Sequence, residues 1–396
     1  MGMLLNNLPK DVLIDGVIVP LIEEGQWAPL ARGSKSLQKD VNEGFMRIAA
    51  GMVGDAPQGP LRSPEARHEA LRYLGRRLPP PPPLLSDWEL WESQTGSEQA
   101  RQAGNVVRAV RAKGQDVLAL PELRLCSVPP QMFDLTKLRC VDLRYNQLHR
   151  LPEDLGRLLH LEQLYLTGNL LETLPDAINK LMHLTRLEAS DNSLRSLPLF
   201  SAQLTRLSVL KLAHNPLGDL NALVQLPSIE ELDVSYTRLD HLPAHMGCWA
   251  SLFYLNIQGK ALRQLPSNFA QLLQLKRFDG AYNDFCAIPR PLTKLKTLTS
   301  VDLRHNFIEH VSGSIGKLIN LERLDLSSNK IVHLPRELEY CARLEFIALN
   351  DNDFATLPPI IFRMQRRVSI ELLGMPHLAR LMDGLSRHRR AQLHIG

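Results

Sequence analysis

Cysteine is scarce in this chain of 396 residues: there are five, Cys126, Cys140, Cys248, Cys286 and Cys341, and no two form a C-x-x-C pair. That spacing argues against a disulfide framework or a zinc ribbon and suits reduced thiols in a reducing compartment. Long apolar runs are missing too. No window approaches the eighteen or so residues that a membrane helix needs, so no bilayer crossing is expected. Neither sign of charge dominates, because 46 Lys and Arg against 42 Asp and Glu leave +4, too even a balance to argue for nucleic acid. A phosphate loop, clustered metal ligands and a catalytic triad are all absent from the sequence, and neither cofactor nor metal is expected. The opening MGMLLNNLPKDV shows no basic region followed by an apolar stretch, and it has Asn6 where a myristoylation signal after Gly2 wants Ser or Thr. On that reading neither a secretory leader nor a lipid anchor is expected.

What the sequence does have is a period. The pattern L-x-L-x-x-N places its last position at Asn146, Asn169, Asn192, Asn215, Thr237, Lys260, Asn283, Asn306, Asn329 and Asn352, in steps of 23 residues with one step of 22. A chain too long for one ordinary core can grow as such an array. The register extends back to Leu123 and forward to Met375, giving ten turns and a degenerate one at each end, about twelve. Alternating leucines such as Leu164 and Leu166, or Leu324 and Leu326, point inward at period two. The asparagine side chains can donate and accept between neighbouring turns where the backbone leaves the strand. Leu-Pro pairs follow at Leu151-Pro152, Leu174-Pro175, Leu242-Pro243, Leu265-Pro266, Leu334-Pro335 and Leu357-Pro358. Proline restricts itself and the residue before it, so the return side should be irregular or briefly helical.

Over residues 117–376 these motifs resemble the leucine-rich-repeat family, and especially the Leu-Pro-rich repeats of bacterial effectors. The resemblance implies an α/β solenoid, a leucine-rich-repeat horseshoe with a parallel concave sheet preceded by a small all-helical N-terminal region. Its function would be protein–protein interaction. Residues 86–116 read as a helical cap. One helix opens with a Ser86-x-x-Glu89 capping box and carries Trp88 and Trp91 on one face, and a second holds Ala103, Val106, Val107 and Val110 at helical spacing and ends near Gly114. The tryptophans are expected to cover the first turn's core. This hairpin is similar to the N-terminal caps of type III effectors, which implies delivery from a bacterium into host cytoplasm. Upstream, residues 51–85 read as a linker with a short helix and the proline run Pro79 to Pro83, an extended spacer. Residues 377–396 read as a C-terminal cap.

Residues 1–50 resemble an F-box in the order Leu8-Pro9, Val12-Leu13, Trp27, Leu30 and Ser34-Lys35, although the spacing departs by one or two residues and Pro20 falls inside the first helix. The resemblance implies docking on the adaptor subunit of a cullin-type ubiquitin ligase, with Leu8, Pro9, Val12 and Leu13 at the interface and Trp27 and Leu30 supporting it. A plain helical bundle is the alternative.

On the concave sheet the residues between inward leucines face out. Their middle column runs Asp142, Tyr165, Glu188, Lys211, Asp233, Asn256, Asp279, Asp302, Asp325, Ala348, Glu371, seven acids of eleven against one lysine. Acids on adjacent strands repel by about 1 kcal/mol per pair in water, and Arg277, Arg304 and Arg323 in flanking positions could neutralise them. The expected partner-binding set is Asp142, Arg144, Tyr165, Glu188, Asp233, Tyr254, Asp279, Asp302, Arg304 and Asp325, reading a basic or mixed-charge protein. Tyr145, Tyr236, Tyr282, His214, His305 and Phe346 add residue types that dominate interfaces. The alternative is that Asp between two leucines only keeps the face soluble.

Some effectors with such repeats carry a ligase domain with a catalytic C-x-D motif, and Cys140-Val141-Asp142 has that form. Here it falls in a strand, with Cys140 and Asp142 outward, Val141 in the core and no His or Asn adjacent in sequence to activate a thiol. Catalysis there is not expected. Three functions therefore stand open: a host-directed substrate receptor for a cullin ligase, a non-enzymatic scaffold or sequestering protein, and a ligase with an N-terminal site of unfamiliar form. A monomer is expected.

Overall fold

A computed structural model describes Trp91 and residues 97–259, 261–364, 368–374 and 393–394. The F-box-like residues Leu8, Pro9, Val12, Leu13, Trp27 and Leu30 lie outside that set. So do the linker, Trp88, Lys260 and most of the C-terminal cap.

Helix α1, Ser97–Lys113, forms where apolar residues recur on one face: Ala100, Ala103, Val107 and Val110 are buried, and Val106 is half-buried. Glu98 in its first turn and Arg111 and Lys113 in its last complement the helix dipole. The chain leaves through Gly114 at φ 61°, a left-handed stop suited to glycine. Trp91 is helical and buried.

Beyond α1 the repeat becomes one parallel sheet whose strands follow in chain order. These are β1 (Val117–Ala119), β2 (Cys140–Asp142), β3 (Gln163–Tyr165), β4 (Arg186–Glu188), β5 (Val209–Lys211), β6 (Glu231–Asp233) and β7 (Tyr254–Asn256). They continue as β8 (Arg277–Asp279), β9 (Ser300–Asp302), β10 (Arg323–Asp325), β11 (Phe346–Ala348), β12 (Ser369–Glu371) and β13 (Leu393–His394). The strand register is the sequence register, so that Leu164 aligns with Leu187 and Asp279 with Asp302. β13 carries the sheet one strand past the turns counted from the pattern, pairing with β12 inside the segment expected only to cap.

The predicted inward leucines are buried, with Leu164, Leu166, Leu324 and Leu326 all at 0% exposure. Each such side chain contributes about 1.5–3 kcal/mol. Aromatic rings widen the core in the middle turns, where Phe269 and Phe278 meet edge to face at 5.5 Å. On the return side the Leu-Pro pairs start short 3-10 turns, Glu153–Arg157 after Pro152, Asp176–Lys180 after Pro175, Ser267–Gln271 after Pro266 and Arg336–Tyr340 after Pro335. Each of these prolines is extended, with ψ between 147° and 158°, and its ring disfavours a helical conformation for the leucine before it.

The asparagines form the ladder that the pattern implies. Asn306 accepts from the Phe285 N–H at 3.1 Å with its side-chain oxygen, and its amide donates to the carbonyls of Gly280 at 3.1 Å and Leu303 at 2.9 Å. It thereby satisfies buried backbone groups of its own turn and of the one before. Where Thr237 replaces asparagine, the shorter hydroxyl donates to Val234 at 3.1 Å within its own turn.

Candidate partner-binding face

Every residue of the expected partner-binding set lies partly exposed on the outward face of this one sheet, a strand or two from the next. The alternation that buries Val141, Leu187 and Val301 turns Asp142, Glu188 and Asp302 outward. The ten residues are therefore brought together as a surface, although no residue of β2 comes near one of β10.

In the first turns the acids are neutralised. Arg144 grips Asp142 with two side-chain hydrogen bonds, Nε to Oδ1 at 3.0 Å and Nη2 to Oδ2 at 2.7 Å, and its backbone N–H donates to the same Oδ1 at 3.1 Å. Burial pushes the Asp142 carboxyl up, but these bonds outweigh it and hold the group below the usual carboxylate range. Arg144 also lies over the Tyr165 ring, 5.2 Å from its centroid. Glu188 sits between Arg186 at 2.8 Å and Lys211 at 3.1 Å, and against a similar burial it too is held low.

In the later turns the acids are not. Asp279 accepts a hydrogen bond from the Tyr254 hydroxyl at 2.7 Å, yet its carboxyl lies above its ordinary range because burial outweighs that bond. Asp302 is pushed up to about 6, by burial first and then by the neighbouring carboxylates Asp325 and Asp279, against the opposing backbone N–H and charge of Arg304. Of the three arginines expected to balance this column, only Arg304 approaches a carboxylate, Nε to Asp302 Oδ2 at 3.4 Å, and that buried Nε makes no aligned hydrogen bond. Arg277 lies instead over the Tyr254 ring at 4.8 Å and Arg323 over the Phe346 ring at 4.6 Å. Flat guanidinium groups prefer such ring faces when one is offered on the next strand in the same column.

A second feature escaped the pattern. The residue before each ladder position adopts a left-handed turn, with Tyr145, His214, Tyr236, Tyr282 and His305 at φ between 51° and 56° and Gly168 and Gly259 in the same column. Stacked there are His214 on Tyr236 at 4.6 Å and Tyr282 on His305 at 4.2 Å between ring centroids. A Cβ on Gly259 would meet the Tyr236 ring at 2.2 Å, so glycine is needed beneath it for space as well as for φ. The glycines recurring in this column were the available signal.

Cys140 faces outward as expected, and its thiol is pushed up, by burial first and by Asp142 next. Asp142 thus suppresses the thiolate that a nucleophile requires, and it is itself committed to Arg144. Among the described residues no helix is long and apolar enough to cross a membrane.

The leucine rich repeat family matches residues 136–194 and 296–354, which span β2–β4 and β9–β11. A leucine-rich-repeat protein from Leptospira interrogans is 28% identical, with a TM-score of 0.61 over 69% of this chain and 70% of that one. An internalin from Listeria monocytogenes is 20% identical with a TM-score of 0.55, covering 75% of this chain and 90% of that one. The leucine-rich-repeat ectodomain of an Arabidopsis thaliana membrane receptor kinase, solved in complex with Casparian strip integrity factor 2, is 24% identical with a TM-score of 0.53, covering 73% and 36%. No curated protein sequence matches the chain. The fold is a leucine-rich-repeat solenoid, an architecture that serves as a protein–protein interaction module.

Proposed function

We propose that this chain captures another protein on the outward face of β2 to β10 and presents it to a cullin-type ubiquitin ligase through residues 1–50. The observation behind the capture step is the continuous sheet face, on which charged and aromatic side chains stand partly exposed strand after strand. Photo-crosslinking tests it. A benzophenone amino acid at Ser300, on the face, should capture the partner, whereas one at Asn320 on the return side should not. Charge reversal at Asp279, Asp302 and Asp325 should abolish the Ser300 product with little change in Tm. Capture from Asn320 alone would move the binding site off the sheet.

What supports the receptor step is the order Leu8-Pro9, Val12-Leu13, Trp27, Leu30 and Ser34-Lys35 in the sequence. The proposed setting, host cytoplasm after delivery by a bacterium, is supported by the likeness of residues 86–113 to effector caps. Calorimetry against the adaptor should give micromolar or tighter binding by the parent. The Leu8→Ala/Pro9→Ala variant should bind at least thirtyfold more weakly, the loss of about 2 kcal/mol expected of an interface hot spot. A parent that binds no adaptor at micromolar concentration sinks the receptor step and leaves a capturing scaffold.

A further inference from the structure

Two strips run side by side over β6 to β10. On the sheet, Asp279, Asp302 and Asp325 stand on consecutive strands in one column, about 4.8 Å apart. The outward positions of β6–β10 hold these three together with Glu231 and Asp233, against the guanidinium groups of Arg277, Arg304 and Arg323. Five carboxylates thus meet three cations, two of which already rest on rings. The outward positions of β2–β5 hold the reverse, two carboxylates against Arg144, Arg186 and Lys211. The face is therefore polarised, with its negative charge concentrated in the later turns although the whole chain carries +4.

The second strip is aromatic. Three residues beyond an acid, the same turn presents an exposed ring: Tyr236 after Asp233, Tyr282 after Asp279, His305 after Asp302. Stacking on His214 and His305 holds the two tyrosine rings in place. A carboxylate beside an exposed ring face offers a guanidinium its two preferred contacts at once, hydrogen bonds in its plane and stacking on its face. An ammonium would use only the charge.

We propose that β6 to β10 seat an arginine-bearing segment of the partner protein, with guanidinium groups on Asp279 and Asp325, either side of Asp302, and stacked along Tyr236, Tyr282 and His305. This rests on the reading of the sheet face as the capture surface. Spacing favours it as well. An extended polyproline II segment repeats its face every three residues, about 9.3 Å, close to the two strand steps of about 9.6 Å between β8 and β10. The groups facing Asp302 are Arg304 on its own turn, Asp279 and Arg277 from β8, and Asp325 and Arg323 from β10. An arriving guanidinium restores full ionisation to a carboxylate that burial and these neighbouring acids have pushed up to about 6. Binding should therefore weaken as pH falls below about 6 and the segment has to displace a proton.

The test uses the full chain and a fluorescein-labelled peptide with arginine at every third position, read by anisotropy at one fixed ionic strength. The expected result is saturable binding at pH 7.5, at least tenfold weaker for the citrulline isostere and several-fold weaker at pH 5. Asp279→Asn/Asp302→Asn/Asp325→Asn should weaken it at least tenfold, and Tyr236→Ala/Tyr282→Ala several-fold at unchanged charge. Asp176→Asn/Glu339→Gln, two exposed acids in return-side turns, should stay within twofold, and circular dichroism checks that each variant is folded. Equal binding of the citrulline peptide, or indifference to either later-turn variant, overturns the proposal. If the crosslinker at Ser300 captures the partner while the arginine peptide does not bind, the arginine seat is wrong and the capture surface stands. If Ser300 captures nothing, the capture surface itself has failed.

Discussion

The tripeptide Asp-Leu-Arg occurs on the face twice, as Asp142-Leu143-Arg144 leaving β2 and as Asp302-Leu303-Arg304 leaving β9. Both aspartates accept the backbone N–H of the arginine two residues on, at 3.1 and 3.0 Å. Yet the first carboxyl is held low and the second is pushed up to about 6. The difference lies first in burial and in the arginine, whose side chain bonds Asp142 twice but only approaches Asp302, and then one repeat away in either direction. Asp142 has Ala119 and Tyr165 beside it on the adjoining strands, and Tyr165 also stacks with the arginine that grips it. Asp302 has Asp279 and Asp325. In a solenoid, residues 23 positions away thus add to what burial and the neighbours in sequence impose on the charge state of a side chain.

The sharpest check on that comparison is what the two regions should share. Asn169→Ala and Asn306→Ala both strip hydrogen bonds from buried backbone groups, and each should cost roughly 1–3 kcal/mol by denaturant unfolding. Similar losses would place the contrast in the face alone, and an Asn306→Ala protein as stable as the parent would refute the ladder. Next in size is Arg144→Ala, which leaves the half-buried Asp142 without its bidentate partner and should cost about 1–2 kcal/mol. Arg304→Ala, which removes a looser contact, should cost less than half of that, and equal costs would erase the distinction.

The remaining effect has the opposite sign. Asp302→Asn keeps the acceptor for the Arg304 N–H and removes the disfavoured charge, so it should stabilise the protein by about 1 kcal/mol at pH 7.5. A folded pKa above the unfolded value of about 3.9 means that the native state holds the proton more firmly. The parent's stability from this group is then full below about pH 4 and lost as pH rises through about 6. The advantage of the variant should accordingly vanish near pH 4. Asp142, held low, runs the other way, contributing stability above about pH 4 that is lost as pH falls through its folded pKa. Unfolding curves of parent and variants between pH 3.5 and 8 decide both signs.

The fold was legible because its chemistry repeats. One leucine column, one asparagine column and one proline column at a common period dictate strand, ladder and return side without reference to any single residue. The identity of the outward residues was legible for the same reason, since alternation turns Asp142 and Asp302 out together. Which arginine serves which acid was not, because Arg277 and Arg323 choose between a carboxylate and a ring on the next strand, and only geometry settles that competition. The left-handed column holding His214, Tyr236, Tyr282 and His305 was hidden because aromatic side chains seldom signal positive φ.

The asparagine ladder also has a direction. Asn329 accepts from Ile308 N–H at 3.0 Å and donates to Leu303 carbonyl at 3.0 Å, both in the preceding turn. Each turn is therefore finished by its successor. Cutting the array after a given turn removes the asparagine that satisfied its backbone amide, whereas cutting before it leaves that turn's own asparagine bonded to its own carbonyls. Loss of turns should be tolerated better from the N-terminal side. During synthesis the same polarity means that a turn waits for 23 more residues before it is complete, a lag on the order of a second or more at ribosomal speed, so the solenoid closes vectorially behind the growing chain.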